Sequence, residues 1–179
     1  CGHDSVSEVF FYNSSSWSIK SRQGGKEFIT VNGAVYGGYD EIYRPVFSHD
    51  PDKFGFLYRN GSKWYSYING KTGQGYDEIT ELVFSESGNS HAIICGKRGK
   101  KQVMINGKSA GEYSDAFLFA FVPGTEKFHF QYMKNRREYL YYNGRSYGPY
   151  QVSNIRYSEK GSLIYTAVRG RDILLIEAE

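Results

Sequence analysis

The chain has 179 residues, a formal net charge of +3 and an aromatic content of 17%, with 17 Tyr and 12 Phe. This length allows one domain with a substantial core and is short for two ordinary domains. The sequence contains no apolar run as long as a membrane-spanning helix requires, and the mild charge does not by itself indicate a nucleic-acid partner. Frequent aromatic residues and 21 Gly favour strands and tight turns over helices.

A repeat with a period of 37 residues covers the whole chain. Asn-Gly pairs recur at Asn32, Asn69, Asn106 and Asn143. Tyrosine keeps the same spacing at Tyr39, Tyr76, Tyr113 and Tyr150. We expect each Asn-Gly pair to form a type I′ hairpin turn, since Asn and Gly tolerate the positive φ that this turn needs. Internal repeats of this length are typical of repeat architectures.

Taken in chain order, the first predicted element is a short strand within residues 1–8. Its "GHDSV" matches "GYDEI" of residues 38–42, which we interpret as the fourth strand, d, of a repeat unit. Four complete units, each with strands a to d, are predicted in residues 9–153. The second of these units has "PVFSHD" as strand a, "KFGFLYR" as b and "KWYSYI" as c. Residues 154–179 supply only a, b and c of a fifth unit.

The repeat predicts an all-β fold, specifically a five-bladed β-propeller in which four-stranded blades of about 37 residues form a single domain over residues 1–179. Bulky residues on both sides of strand c indicate sheets buried on both faces, as stacked blades are. A β-sandwich or an up-and-down barrel would leave one polar face on each strand. We expect the N-terminal strand to complete the C-terminal blade and to close the ring, which would protect an exposed sheet edge.

Several segments resemble a known family. "VFSHD", "VFSESG" and "RYSEKG" resemble the Phe-Ser-Pro-Asp-Gly signature of bacterial WD-repeat-like propellers, the group that includes the periplasmic propeller of the Tol system. The Pro-Asp pair is absent from most units of this chain. The resemblance implies a propeller fold and a location in the bacterial cell envelope or outside the cell, and it implies no activity. Cys1 could be the lipid-modified first residue of a mature bacterial lipoprotein, although a strand that follows it at once would leave almost no tether.

The candidate binding residues lie in the turns between strands b and c, which all emerge on one face of a propeller. They are Arg59, Lys63, Lys97, Arg98, Lys100, Lys101, Lys134, Arg136, Arg137, Arg169 and Arg171. The a–b turns on the opposite face carry acids, namely Asp50, Asp52, Glu86, Glu126 and Glu159. We expect a disc that is basic on one face and acidic on the other, although polar turns of this kind also simply protect hairpin tips.

The sequence favours a non-enzymatic binding scaffold for a protein or peptide, with an acidic glycan as another ligand of the basic face. A carbohydrate-binding lectin is the alternative, but the residues equivalent to Asp40 diverge to Ser114 and Gln151, whereas a lectin would repeat its site in every blade. A propeller hydrolase would need an axial set of carboxylates. Nucleic acid is disfavoured because the turns lack interleaved aromatic residues. We expect a monomer without cofactor, metal or catalytic residues.

Overall fold

The computed structural model describes residues 4–158 and 162–178, and this part of the chain forms strands and turns without a helix. It therefore contains no helix long and apolar enough to cross a bilayer. The strands are β1 (Ser5–Phe11), β2 (Trp17–Gln23), β3 (Lys26–Val31), β4 (Ala34–Tyr39), β5 (Glu41–Ile42), β6 (Val46–Phe47), β7 (Phe54–Asn60), β8 (Lys63–Ile68), β9 (Lys71–Thr72), β10 (Glu78–Phe84), β11 (His91–Lys97), β12 (Lys100–Ile105), β13 (Lys108–Tyr113), β14 (Asp115–Phe121), β15 (Phe128–Lys134), β16 (Arg137–Tyr142), β17 (Arg145–Tyr147), β18 (Gln151–Tyr157), β19 (Leu163–Arg169) and β20 (Asp172–Ala178).

The strands form five antiparallel sheets in which consecutive strands are neighbours. Sheet 1 contains β1–β4, sheet 2 β5–β9, sheet 3 β10–β13, sheet 4 β14–β17 and sheet 5 β18–β20. In sheet 2 the first strand is divided into β5 and β6, both of which pair with β7. The all-β prediction is confirmed, and sheets 1, 3 and 4 have the predicted four strands.

The predicted Asn-Gly turns join the third and fourth strands of sheets 1 to 4. Asn32 and Gly33 have φ angles of 48° and 88°, and the other three pairs have closely similar values. The Asn32 side chain also accepts a 2.9 Å hydrogen bond from the backbone nitrogen of Trp17. Asn106 makes the equivalent bond to His91 in sheet 3. The turns at Asn32 and Asn106 are thus fixed both by backbone conformation and by a side-chain bond to the adjacent strand.

Four hydrophobic clusters hold the sheets together, one at each boundary between successive sheets. At the first boundary Ile29 and Val31 of sheet 1 pack with Phe56 and Tyr58 of sheet 2. The second strands of sheets 2, 3 and 4 have unbroken buried runs, because both faces of these sheets are covered. In β19 buried and half-buried residues alternate, so sheet 5 packs through one face. Exposed Val6, Val9 and Phe11 lie on the outer face of sheet 1.

The prediction that the N-terminal strand completes the last sheet is wrong. "GYDEI" spans two strands: Tyr39 ends β4, and Glu41–Ile42 begins sheet 2. Asp4 donates its backbone N–H to the carbonyl of Arg22, as Asp40 does to that of Arg59. The described N-terminal residues therefore begin sheet 1, and sheet 5 keeps three strands. Residues 1–3 of the predicted closing strand lie outside the described part.

Candidate anion-binding site

The predicted basic residues lie at the hairpins between the second and third strands of the five sheets. In sheet 4 the hairpin turns at Asn135-Arg136, which both have positive φ, and in sheet 5 it turns at Gly170-Arg171. The first two hairpin tips approach each other closely enough for one carboxylate, that of Asp40, to bond both the Lys26 ammonium and the Gly61 backbone nitrogen. Neighbouring tips thus lie side by side along one edge of the stack.

Acidic residues at the first two sheet boundaries neutralise part of this edge. Asp40 Oδ1 lies 2.6 Å from Lys26 Nζ, and Asp77 Oδ1 lies 2.5 Å from Lys63 Nζ. The Lys26 hydrogen bond, followed by that of the Gly61 backbone, lowers the pKa of Asp40. The Lys63 bond has the same effect on the pKa of Asp77. These acids lie in the segments that lead from one sheet to the next and not in the hairpin turns, so counting the acids of the hairpin turns alone overestimates the positive charge.

The eleven candidate residues consequently divide into two groups. Four form salt bridges within the described chain: Arg59 with Asp40 and Glu41, Lys63 with Asp77, Lys100 with Glu112, and Lys101 with Glu78. Seven have no carboxylate within salt-bridge distance among the described residues: Lys97, Arg98, Lys134, Arg136, Arg137, Arg169 and Arg171. Five of the seven belong to sheets 4 and 5, so the unpaired charge is concentrated at that end.

The boundary between sheets 4 and 5 shows why Arg137 is unpaired. Arg137 occupies the position that Lys26 and Lys63 hold in sheets 1 and 2, as the first residue of the third strand. The position of Asp40 and Asp77 is occupied here by Gln151. At this boundary a neutral amide therefore stands at the position of the carboxylate, whereas the cation is retained. The divergence at this position was visible in the sequence, but its effect on the neighbouring cation required the structure.

A cleft of about 440 Å³ opens at this boundary, lined by Arg136, Arg137, Arg169, Tyr150 and Gly170 among others. We call it the arginine cleft. All three guanidinium side chains are exposed. A guanidinium presents a planar fork of donors that matches the two oxygens of a carboxylate or phosphate group.

One carboxylate, that of Glu138, also lines the arginine cleft. Its Oε1 accepts a 3.2 Å hydrogen bond from the backbone nitrogen of Val152, and its carbonyl oxygen accepts one from Tyr150. Glu138 therefore ties sheet 4 to the first strand of sheet 5, as Glu27 ties sheet 1 to Ile42 of sheet 2. Three cations against one engaged carboxylate leave the cleft positively charged.

The acids of the opposite turns take part in local bonds. Glu86 accepts a hydrogen bond from the backbone nitrogen of Gly124, and Glu126 accepts one from Ser87. Asp50 lies 3.6 Å from Lys53. Glu159 lies outside the described residues. Within the described ranges no three His, Cys, Asp or Glu side chains are grouped as metal ligands would be.

Comparison with known proteins identifies the fold. No protein family and no curated protein matches the sequence. Among solved structures, the chain is similar to the β-propeller domain of the Trilobed protease from Pyrococcus furiosus, which has an open velcro topology. The TM-score is 0.55 at 12% identity, over 96% of this chain and 70% of that one. The Dos1 propeller gives a TM-score of 0.52 at 11% identity, over 96% of this chain and 54% of its own length. At such identities the likeness shows the fold alone, and that fold is a β-propeller.

Proposed function

We propose that this chain is a non-enzymatic binding scaffold that holds an acidic segment of a protein or peptide in the arginine cleft. The observation that carries the proposal is the group of three arginines, Arg136, Arg137 and Arg169, around the position where Gln151 replaces the repeat's aspartate. A carboxylate from a partner would take the place that Asp40 and Asp77 occupy at the first two boundaries. The exposed guanidinium groups and the open shape of the cleft suit an extended acidic chain.

We also propose that the five sheets are five successive blades of the propeller, of the WD-like type that "VFSHD" and "VFSESG" resemble. The 37-residue period and the four hydrophobic clusters between successive sheets support this assignment. Propeller faces that carry hairpin turns offer a broad, rigid platform on which side chains from adjacent blades converge. The arginine cleft, formed by the hairpins of two adjacent sheets, has this character.

The test is fluorescence anisotropy with a fluorescein-labelled hexaglutamate peptide at low and physiological salt. Replacing Arg136, Arg137 and Arg169 together by Gln should weaken binding at least about tenfold, since the charge-assisted hydrogen bonds are lost. The matched control removes three charges, those of Lys71, Lys108 and Arg145, from the other end of the strands, just after the Asn-Gly turns. These three side chains are exposed and form no salt bridge with described residues, so the control should bind like the wild type.

A heparin-derived oligosaccharide provides the competing ligand. If it binds the wild type and the peptide does not, the acidic-glycan alternative replaces the peptide proposal. Equal loss of peptide binding in the cleft variant and in the control would show that only the total charge matters, and the cleft would then have no special role. Peptide binding that persists in the triple cleft variant would likewise show that the arginine cleft has no special role.

A further inference from the structure

The boundary between sheets 2 and 3 contains a pocket that the repeat fills with side chains elsewhere. In sheet 1, Ile29 pairs with Tyr36 across strands β3 and β4. In sheet 4, Leu140 pairs with Tyr147 in the same register. The equivalent pair in sheet 2 is Ser66 with Gly73, whose backbone nitrogen donates a 2.8 Å hydrogen bond to the Ser66 carbonyl. A large aliphatic side chain and a tyrosine have thus been replaced by a serine and a glycine.

The tyrosine of this pair has a defined role in sheet 1. The Tyr36 ring packs against the next sheet, with its centroid 4.9 Å from that of Tyr67, 5.5 Å from that of Phe56 and 6.0 Å from that of Phe54. In sheet 4, Tyr147 makes the corresponding edge contact with Tyr165, at 6.4 Å. These distances are those of ordinary aromatic pairs in protein cores. The space between adjacent sheets at this level is therefore shaped for one aromatic ring.

The third boundary fills the same space in another way. There Ala110 stands at the tyrosine position, and Tyr113 folds over it, donating a 3.1 Å hydrogen bond from its hydroxyl to the Ala110 carbonyl. The Tyr113 ring lies 5.4 Å from Phe130, the equivalent of Phe56. In sheet 2 the residue equivalent to Tyr113 is Tyr76, and its hydroxyl instead accepts a 2.7 Å bond from Gln74.

The result at the second boundary is a pocket of about 450 Å³. We call it the ring pocket. Its walls include Ile93 and Met104, the equivalents of Phe56 and Tyr67, together with His91, the equivalent of Phe54. Ser66 and Gly73 form the side from which the tyrosine projects in sheet 1. The volume lies within the usual range for small-ligand sites, and apolar walls with a few polar groups at the rim are typical of them.

Polar side chains of the lining can orient a ligand. Gln74 and His91 line the ring pocket beside the apolar walls. Burial lowers the pKa of His91, so its imidazole is neutral at physiological pH and offers one donor and one acceptor. The Asn106 side chain is already engaged, since it accepts a bond from the backbone N–H of His91 and donates one to the Ser90 hydroxyl. A hydroxyl or amide next to an aromatic ring would find its partners in Gln74 and the His91 ring.

We propose that the ring pocket binds a single aromatic ring of the phenol type, in the place that the repeat's own tyrosine takes at other boundaries. The ring would pack on Ile93 and Met104, and its polar substituent would lie at the rim. The source is either a free phenolic compound or a tyrosine side chain of a peptide, and the chemistry of recognition is the same. The ring pocket is separate from the arginine cleft, so the failure of one proposed site would not count against the other.

The two methionines of the chain provide a direct measurement. Met104 lines the ring pocket, and Met133 lies in the arginine cleft, so a protein labelled at the methionine methyl carbon gives two NMR signals. Titration with p-cresol should shift the Met104 signal saturably, because a bound ring shields nearby methyl groups, and should leave Met133 in place. A non-aromatic compound of similar shape, cyclohexylmethanol, should bind more weakly and shift Met104 less. N-acetyl-L-tyrosinamide is the peptide arm, and tighter binding than that of p-cresol identifies a peptide as the source.

Variants that restore the repeat should close the pocket. Ser66→Ile introduces the side chain found at Ile29 and should weaken p-cresol binding at least about tenfold, as filling a site by a few carbon atoms commonly does. Ser5→Ile is the matched control: it adds the same side chain at an exposed position of β1, outside the ring pocket, and should bind like the wild type. If Ser66→Ile does not fold, as judged by circular dichroism, Ile93→Phe fills the pocket from the opposite wall. The proposal would be overturned if the Met104 signal stayed unchanged with both phenolic probes or if both methionines shifted equally. It would also be overturned if cyclohexylmethanol bound as tightly as p-cresol, or if the filled variants bound p-cresol as well as the wild type does.

Discussion

The Lys26 ammonium donates a 2.6 Å hydrogen bond to the Asp40 carboxylate across the boundary between sheets 1 and 2. The other oxygen of Asp40 accepts from the backbone nitrogen of Gly61, at the hairpin tip of sheet 2. The same arrangement recurs one repeat later, where Asp77 joins Lys63 to the backbone of Arg98. One carboxylate thus connects two sheets and orders a hairpin, which explains why the repeat carries aspartate at these two boundaries.

The double variant Asp40→Asn with Asp77→Asn should be less stable than the wild type at neutral pH. Hydrogen bonds from Lys26 and Lys63 lower the pKa of these carboxyls below the ordinary value of 3.8. Their contribution is therefore present at neutral pH and is lost as the pH falls below about 4, through the lower pKa of the folded state. Urea denaturation at pH 7, 5 and 3 should show the difference between variant and wild type shrinking with acid. Asp52→Asn, at an exposed turn, is the control and should follow the wild type at every pH.

Equivalent leucines should respond very differently to truncation. Leu140 is fully buried between sheets 4 and 5, whereas Leu175, at the same repeat position on the outer face of sheet 5, is 69% exposed. Leu140→Ala should cost about 2–5 kcal/mol of unfolding free energy, because it removes buried methyl groups and leaves a cavity. Leu175→Ala should change it by about 0.5 kcal/mol or less. Equal losses in urea denaturation would show that the outer face of sheet 5 is covered in solution.

Acidification should also lower the stability of the folded protein through His129. Its Nε2 shares a 2.9 Å hydrogen bond with the Tyr157 hydroxyl, while Nδ1 is buried and has no hydrogen-bond partner among the described residues. Burial lowers its pKa to about 4. The unfolded chain takes up this proton near pH 6.5, so stability should fall between about pH 6.5 and 4, by at most roughly 3 kcal/mol, and level off below that range.

The variant His129→Gln should flatten this part of the pH profile. Glu81 lines the same small cavity, and burial raises its pKa, so it takes up a proton in the folded state and opposes the histidine effect. Since Glu81 is present in both proteins, the difference between their profiles isolates His129. His49→Gln, which removes an exposed histidine whose Nδ1 lies 3.6 Å from Glu86, serves as the surface-histidine control. A wild-type slope in His129→Gln would contradict the assignment.

Cys95 should resist thiol reagents in the folded protein. It is fully buried between sheets 2 and 3, and burial raises its pKa to about 11. At pH 8 this lowers the reactive thiolate fraction about 100-fold relative to an ordinary thiol, in addition to the steric protection. In a Cys1→Ser background, 5,5′-dithiobis(2-nitrobenzoic acid) should react slowly with the native chain and rapidly in urea. Adding Asn89→Cys, an exposed turn position, should produce one fast-reacting thiol in the native state.

The repeat was sufficient to predict the strands and their turns, because Asn32-Gly33 and its equivalents have conformations that few other pairs adopt. The boundary between the fourth strand of one sheet and the first of the next could not be placed in the same way. "GYDEI" has the alternation of one continuous strand, and only the pairing of Ile42 with Tyr58 shows that it divides at Asp40. That single misplacement led to the wrong closure of the ring.

The candidate sites were predictable to different extents. The basic hairpins follow from the register of the repeat, but which cations remain unpaired depends on acids 14 residues away in the chain, such as Asp77 for Lys63. The ring pocket depends on Ser66 and Gly73. Their sequence alone does not indicate a pocket, because they must first be aligned with Ile29 and Tyr36 through the strand register. In both cases the informative signal is a departure from the repeat, which becomes readable once the strand pairing is established.

Among the described residues the four clusters join each sheet to the next one along the chain, and that arrangement governs how the chain opens. Sheets 1 and 5 have one hydrophobic interface each, whereas sheet 3 lies between two. Protection of backbone amides against hydrogen exchange should therefore rise from both ends toward β11, as in a linear array with nearest-neighbour coupling. The molecule should behave as a row of coupled units that frays inward, and not as a single cooperative block.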